Sequence, residues 1–386
     1  MKNSVWVLIV ALLAVPLIGS AASQQEKKEE GPLPWAYASD APPNAPAAAT
    51  TQPDTSLRHV SGSDLSFTFE QARDLFGPAD WHPSDHPPMP DIVAHGKKPD
   101  IIACAFCHFP NGKGRAPNAP LAGLPVEYFV RQMMDFRSGL RSSAEPRKQP
   151  TKRMIAFAKT MTDDEIRATA EYYGSIPYTP WIKVIETKTV PKTRILSDGL
   201  FLKLEGNQTE PIGNRIVEVP ESTVATWDLR DDRSPFTAYA PIGSIKKGEA
   251  LVTTGGGGKT LQCAICHGAQ LGGIGPVPAL AGRSPSYIAR ELYDMQHGTR
   301  KGPWSGLMQR AVEKLTTEDI VAICAYISSR PVTAATKAAS GGAAVTQAAK
   351  AAALGAESVA PSTRPMKPGV RGIKSDGLRP IGESEP

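Results

Sequence analysis

Apolar positions along this chain fall into distinct rhythms. From Val5 to Ile18 they run almost without a break behind Lys2, and the small residues Gly19, Ser20, Ala21 and Ala22 follow. That order of charge, apolar stretch and small residues predicts a secretory signal over residues 1–22. An uncleaved membrane anchor is the alternative, because the run approaches a spanning length and Pro16 does not forbid it. Residues 23–63 carry few aliphatics and include Ala41-Pro-Pro-Asn-Ala-Pro-Ala-Ala-Ala49, which predicts a disordered Pro/Ala-rich leader. Residues 332–386 return to Ala, Gly, Ser and Pro without an apolar stripe and read as a disordered tail.

Between these ends the pattern turns helical, twice. Pro125 precedes Phe129, Met133 and Phe136, and Gly139 stops the run; Ser284-Pro285 precedes Ile288, Leu292 and Met295, and Gly298 stops it. Apolar residues at i, i+4 and i+7 between a start and a stop signal predict amphipathic helices. A last helix in each half starts at a Thr-x-x-acid box, Thr162 to Glu165 and Thr316 to Asp319, and ends before Pro177 and Pro331. The stretch 179–242 has a different beat. Its short runs Val184-Ile185, Phe201-Leu202-Lys203-Leu204 and Arg215-Ile-Val-Glu-Val219 are broken by Gly and Pro, which predicts a connector of short β-strands.

The two helical halves are copies. Cys104-Ala-Phe-Cys107-His108 recurs as Cys263-Ala-Ile-Cys266-His267, an offset of 159 residues that also carries Leu121-Ala-Gly123 onto Leu280-Ala-Gly282, Tyr128 onto Tyr287, Arg131 onto Arg290, Gly139 onto Gly298 and Arg141 onto Arg300. Further on the offset is 154, mapping Met154 onto Met308, Ile166 onto Ile320, Tyr172 onto Tyr326 and Pro177 onto Pro331. Residues needed for a shared chemistry must therefore stand at matched positions. The domains predicted are 64–178 and 243–331.

Cys-x-x-Cys-His is the attachment pattern of c-type haem. Two intervening residues let both thiols reach the two vinyl groups on one porphyrin edge, while the next residue swings its imidazole under the iron. Cys104, Cys107, Cys263 and Cys266 are thus the candidates to hold two covalently bound haem c groups, with His108 and His267 as proximal iron ligands. A zinc site built from the two pairs would leave each adjacent histidine unexplained. A thioredoxin-like redox pair would need a βαβ setting that is missing here. For the distal ligand, Met133, Met134 and Met161 map onto Leu292, Tyr293 and Leu315, so only Met154 has a methionine partner, Met308. Both are expected in the loop between helices, facing the iron from the other side. His59, His82, His86, His95 and His297 have no counterpart, which disfavours bis-histidine ligation. His82 and His86 look like metal ligands, but their Pro-rich setting and the lack of a third ligand nearby in sequence favour a structured loop. Cys324 falls on the buried stripe of the last helix, at the position of Ala170, and reads as a small hydrophobe. Gly255 to Gly258 lack phosphate-loop spacing and read as a turn.

Composition adds bounds. A chain of 386 residues has room for two domains and tails. Its formal charge of +5 is spread without a basic block, which argues against nucleic-acid binding. Four of its five cysteines sit in the two haem motifs, so a disulfide framework is not what holds the chain together. Haem is attached outside the cytoplasm, so compartment and motif agree.

On the two motifs, the Leu-Ala-Gly turns, Tyr172 and Tyr326, and Met154 and Met308, the chain resembles class I c-type cytochromes in a tandem two-haem arrangement, over roughly residues 85–178 and 243–331. The fold class this implies is mainly α, with two such helical domains in tandem joined by the β-containing connector. The resemblance also implies a proline between motif and Leu-Ala-Gly turn whose carbonyl supports the proximal histidine. Pro278 fits, whereas Pro117 and Pro120 bracket the matched position in the first half. The function implied is one-electron transfer in the periplasm. The partners are a donor dehydrogenase or quinol-oxidising complex and an acceptor oxidase or reductase, with membrane association if the N-terminal segment is retained. The rival readings are a catalytic dihaem oxidoreductase acting on a small sulfur compound or peroxide, and a haem subunit docked on a dehydrogenase.

Overall fold

The computed structural model describes residues 33–37 and 54–332; the signal segment, the rest of the leader before residue 54 and the tail beyond residue 332 lie outside the described residues. No helix among the described residues is long and apolar enough to cross a membrane.

The first module consists of α1 (Asp91–Ala94), α2 (Cys104–His108), α3 (Val126–Arg137), α4 (Gln149–Thr160) and α5 (Asp163–Ser175). Phe129, Met133 and Phe136 of α3 are buried and meet Ile166, Ala170 and Tyr173 of α5 in one core, as their spacing predicts. At the start of α5 the Glu165 N–H donates to the Thr162 hydroxyl while the Thr162 N–H donates to the Glu165 carboxylate, so two otherwise orphaned helix donors are satisfied.

The second module repeats this with α6 (Ser244–Thr254), α7 (Ala264–His267), α8 (Pro285–Gln296), α9 (Gln309–Val312) and α10 (Thr317–Ser329). Its opening helix α6 is eleven residues long against four in α1. Helix α6 packs on α10 through Gly248: a Cβ there would lie 2.0 Å from the Ala322 carbonyl oxygen and 2.7 Å from the Tyr326 Cβ. Because one obstacle is backbone, Gly248→Ala must push the helices apart. It is expected to cost about 1–3 kcal/mol of stability, the usual penalty of overpacking, read as a lower denaturant midpoint.

Helix α10 also carries a pH-sensitive cap. Burial would push the Asp319 carboxyl up, but Lys259 and Lys247, whose Nζ atoms lie 2.8 and 3.0 Å away, and the Thr316 N–H outweigh it and hold it at about 2. An aspartate in the unfolded chain titrates near ~3.9, so this stabilisation is complete above that value and lost as pH falls through about 2. Both lysines are half-exposed, and solvent screening limits the effect to about 1 kcal/mol. Asp319→Asn is expected to flatten the fall in unfolding free energy between about pH 5 and pH 2.5.

The connector contains β1 (Ile182–Thr187), β2 (Val217–Pro220) and β3 (Phe236–Pro241), with β3 central, parallel to β1 and antiparallel to β2. A parallel pair needs a long crossover, which residues 188–235 supply, including the pairings of Thr193–Ile195 with Phe201–Lys203 and of Thr189–Pro191 with Thr209–Pro211. Buried Glu218 of β2 accepts from the Ser284 hydroxyl at 2.8 Å and the Ser286 N–H at 3.2 Å, a carboxylate placed at the positive end of α8.

The two modules meet about an approximate twofold relation. Arg141 and Arg300, partners in the repeat, form an antiparallel bridge, the Ser142 N–H donates to the Thr299 carbonyl, and the Lys301 N–H to the Leu140 carbonyl, each at 2.8 Å. Arg141 donates to Gln132 at 2.9 Å and to Glu291 at 2.7 Å, and Arg300 donates to Gln132 at 2.9 Å, to the Tyr128 hydroxyl at 2.8 Å and pairs with Glu291. Gln132 and Glu291 are themselves partners under the 159-residue offset, so two arginines share one carboxylate. Farther along the contact, Arg283 donates to the carbonyls of Pro120 and Ala122, and Arg290 to that of Ala116.

Two segments depart from the sequence reading. Pro34–Tyr37, inside the stretch expected to be disordered, is a buried helical turn on the second module. The Tyr37 hydroxyl donates to Asp294 at 2.7 Å and Arg290 donates to the Ala36 carbonyl at 2.8 Å. Four buried apolar or aromatic residues in five, Leu33, Trp35, Ala36 and Tyr37, are enough to dock this short segment. Residues 54–81, partly assigned to the leader and partly to the first domain, pack instead on the connector. Val60, Ala72, Ala79 and Trp81 share a core with Leu229, and the Trp81 indole N–H donates to the Leu229 carbonyl at 2.7 Å.

Candidate cofactor sites

In the first module the short helix α2 presents Cys104, Cys107 and His108 to one cavity of about 350 Å³, within the size range of small-molecule sites. Its apolar wall comes from Phe129, Met133 and Phe136 of α3 and Met154 and Phe157 of α4. The His108 Nδ1–H donates to the Ala119 carbonyl at 2.8 Å, which leaves the lone pair on Nε2. Burial pushes this imidazole down to about 4, so it is neutral and able to bind a metal at neutral pH. Burial pushes the Cys104 thiol up to about 12. A catalytic redox thiol needs the reverse, a stabilised thiolate.

The second module reproduces the key bond. The His267 Nδ1–H donates to the Pro278 carbonyl at 2.8 Å, and burial lowers its pKa. Pro278 and Ala119 are partners at the 159-residue offset. The support in the first module thus comes from an alanine between the two prolines that bracket it. The acceptor is backbone, so the side chain at that position is free to change.

Met154 lines the first cavity together with His108, but it stands within helix α4 and not in a loop. Residues 149–160 carry their own apolar face, and Pro150 in the first turn starts the helix where a loop was expected. Met308 closes a short 3₁₀ turn, Ser305–Met308, and packs against the second core. Met133 and Met161 also line the first cavity, both buried. Cys324 is fully buried on α10 and its thiol is pushed up by burial.

No local signal in the chain marks the connector's part in the first site. Asp198, Trp227 and Arg230 of the connector line the cavity, as do Arg73 of the segment before the first module and Arg115 of the module itself. Arg230, at φ 56°, lies 3.7 Å over the ring of Phe106 within the first motif. Buried N–H groups of Arg115 and Arg230 have no hydrogen-bond partner among the described residues, an arrangement that costs free energy unless an acceptor arrives. Two thiols, a neutral imidazole, an apolar wall and unmet cationic donors fit a porphyrin with carboxylate side chains. Around the second motif the surface is barer: Ile265, the partner of Phe106, is 68% exposed, and Leu261, Ile274 and Leu307 are exposed too.

The family model for cytochrome c matches residues 94–176 and 245–331, one match on each module. A thiosulfate dehydrogenase electron acceptor from Stutzerimonas stutzeri is 24% identical over 61% of this chain and 82% of its own length. Cytochrome c4 from Azotobacter vinelandii is 24% identical over 58% of this chain and 82% of its own. Cytochrome c-554(548) from Halomonas halodenitrificans is 38% identical over 18% of this chain and 83% of its own.

Proposed function

Given that this chain belongs to the cytochrome c family, with two domains, two covalently bound haem c groups and one-electron transfer as its chemistry, we propose that Cys104 and Cys107 with His108 and Met154 hold the first group, and Cys263 and Cys266 with His267 and Met308 the second. The bound iron supplies the one-electron couple, and the protein sets its potential through ligands, burial and charge. The observation that carries the assignment is the matched pair of imidazole-to-carbonyl bonds, each 2.8 Å long and each eleven residues past its histidine. That bond fixes tautomer and ring orientation, so Nε2 is offered to the metal in both modules. Phe129, Phe136 and Phe157 give the first site an apolar wall, and Met154 would supply the iron with its second protein ligand, an arrangement that suits electron transfer and not substrate binding.

The chain works outside the cytoplasm in this reading, which the N-terminal pattern supports, passing electrons from a dehydrogenase or quinol-oxidising complex to an oxidase or reductase. Relatives named as electron acceptors of thiosulfate dehydrogenase favour a dehydrogenase of sulfur compounds as the donor. The test is the oxidised near-infrared spectrum with carbon monoxide binding to the reduced protein. Two methionine-to-iron bands and no carbon monoxide uptake are expected; one band with uptake at the other iron would instead support a catalytic dihaem oxidoreductase.

A further inference from the structure

We propose that His82, Asp231 and Asp232 supply three ligands to a buried site for one zinc ion, which pins the segment preceding the first module to the connector. All three are buried, with 2%, 7% and 3% of their surface exposed. The His82 Nε2 lies 3.2 Å from one Asp231 carboxylate oxygen and 3.8 Å from an Asp232 oxygen, and one ligand atom from each residue falls within 4.8 Å of the others. Four-coordinate zinc at bonds of about 2.0–2.2 Å holds neighbouring donors roughly 3.3–3.6 Å apart. The three atoms therefore already stand near the corners of such a site.

The unmet group is Asp232. Both of its carboxylate oxygens are buried and without a hydrogen-bond partner among the described residues, although its backbone carbonyl accepts from Asn111 at 2.7 Å. The other charges nearby are committed. His86 pairs with Asp80 at 3.2 Å, and Arg233 pairs with Asp85 at 2.6 Å. Asp231 also accepts the Arg233 N–H at 2.9 Å. Lys113 offsets part of the charge on Asp232, against the like charges of Asp231, Asp80 and Asp85. A divalent cation answers both carboxylates and takes the imidazole lone pair as well.

Imidazole favours late first-row metals, and two carboxylates in a buried site of low coordination number suit zinc better than calcium or magnesium, which take six or more oxygens or keep their water. His82 and Asp231 lie 149 residues apart in sequence, so the ion would add a cross-link between segments already joined by the small core around Trp81 and by the Arg233–Asp85 pair.

Calorimetric titration of the mature two-haem protein, stripped with EDTA, with zinc chloride tests this. One saturable equivalent per chain and a rise in melting midpoint with zinc are expected. Asp232→Asn and His82→Gln should each weaken uptake at least tenfold, since even outer-shell partners of a metal ligand are worth about 10–100-fold. Uptake that both variants retain would overturn the site. So would a wild-type protein whose zinc content and melting midpoint do not respond, whatever the variants do.

Discussion

Glu291→Ala is expected to destabilise the folded chain by about 3–5 kcal/mol, the usual cost of removing one partner from a buried ion pair. Arg141 and Arg300 are each more than nine-tenths buried and converge on that carboxylate. Burial opposes charge on all three groups, but their mutual attraction wins: the carboxyl of Glu291 is held below its ordinary value and both guanidiniums above theirs. Taking the carboxylate away leaves two like charges facing neutral acceptors, among them the Gln132 amide and the Tyr128 hydroxyl. Denaturant midpoints of the two-haem protein check this. Glu291→Gln, which keeps an acceptor and loses the charge, should fall between wild type and Ala. A loss below about 1 kcal/mol for Ala would mean that water already reaches the guanidiniums, as at an exposed pair.

Met154→Ala is expected to abolish one of two methionine-to-iron bands in the oxidised spectrum, halving the total intensity while the haem count stays at two. Met308→Ala should remove the other half. Each substitution should also lower the potential of one iron, because thioether ligation favours the reduced state. Met133 and Met161 share the first cavity, so they are the internal controls. An unchanged spectrum in Met154→Ala together with a lost band in Met133→Ala or Met161→Ala would reassign the ligand.

Much of this architecture is legible in the amino-acid sequence. The haem motifs, the repeat, the capping boxes at Thr162 and Thr316 and the apolar stripe of α3 are local signals, and local chemistry writes them into neighbouring residues. Pro278 stands out because the resemblance names a proline there. Its counterpart Ala119 does not, since a backbone carbonyl leaves no mark on the side-chain pattern. Met154 is singled out by its pairing with Met308, yet its place on a helix is missed although residues 149–160 carry an apolar face and Pro150 stands in the first turn. The rest is non-local. Arg230 reaches the first site from the connector, Asp231 reaches His82 across 149 residues, and Tyr37 finds Asp294 across 257. Such encounters follow from topology, and a linear pattern does not encode them in any one stretch.

The connector covers one half of a duplicated design and leaves the other bare. Arg230 and Trp227 roof the first motif, whereas Ile265 and Leu307 of the second face open solvent. The inserted stretch thus gives the two copies of the motif different surroundings, an arginine and an indole over one and exposed aliphatic side chains beside the other.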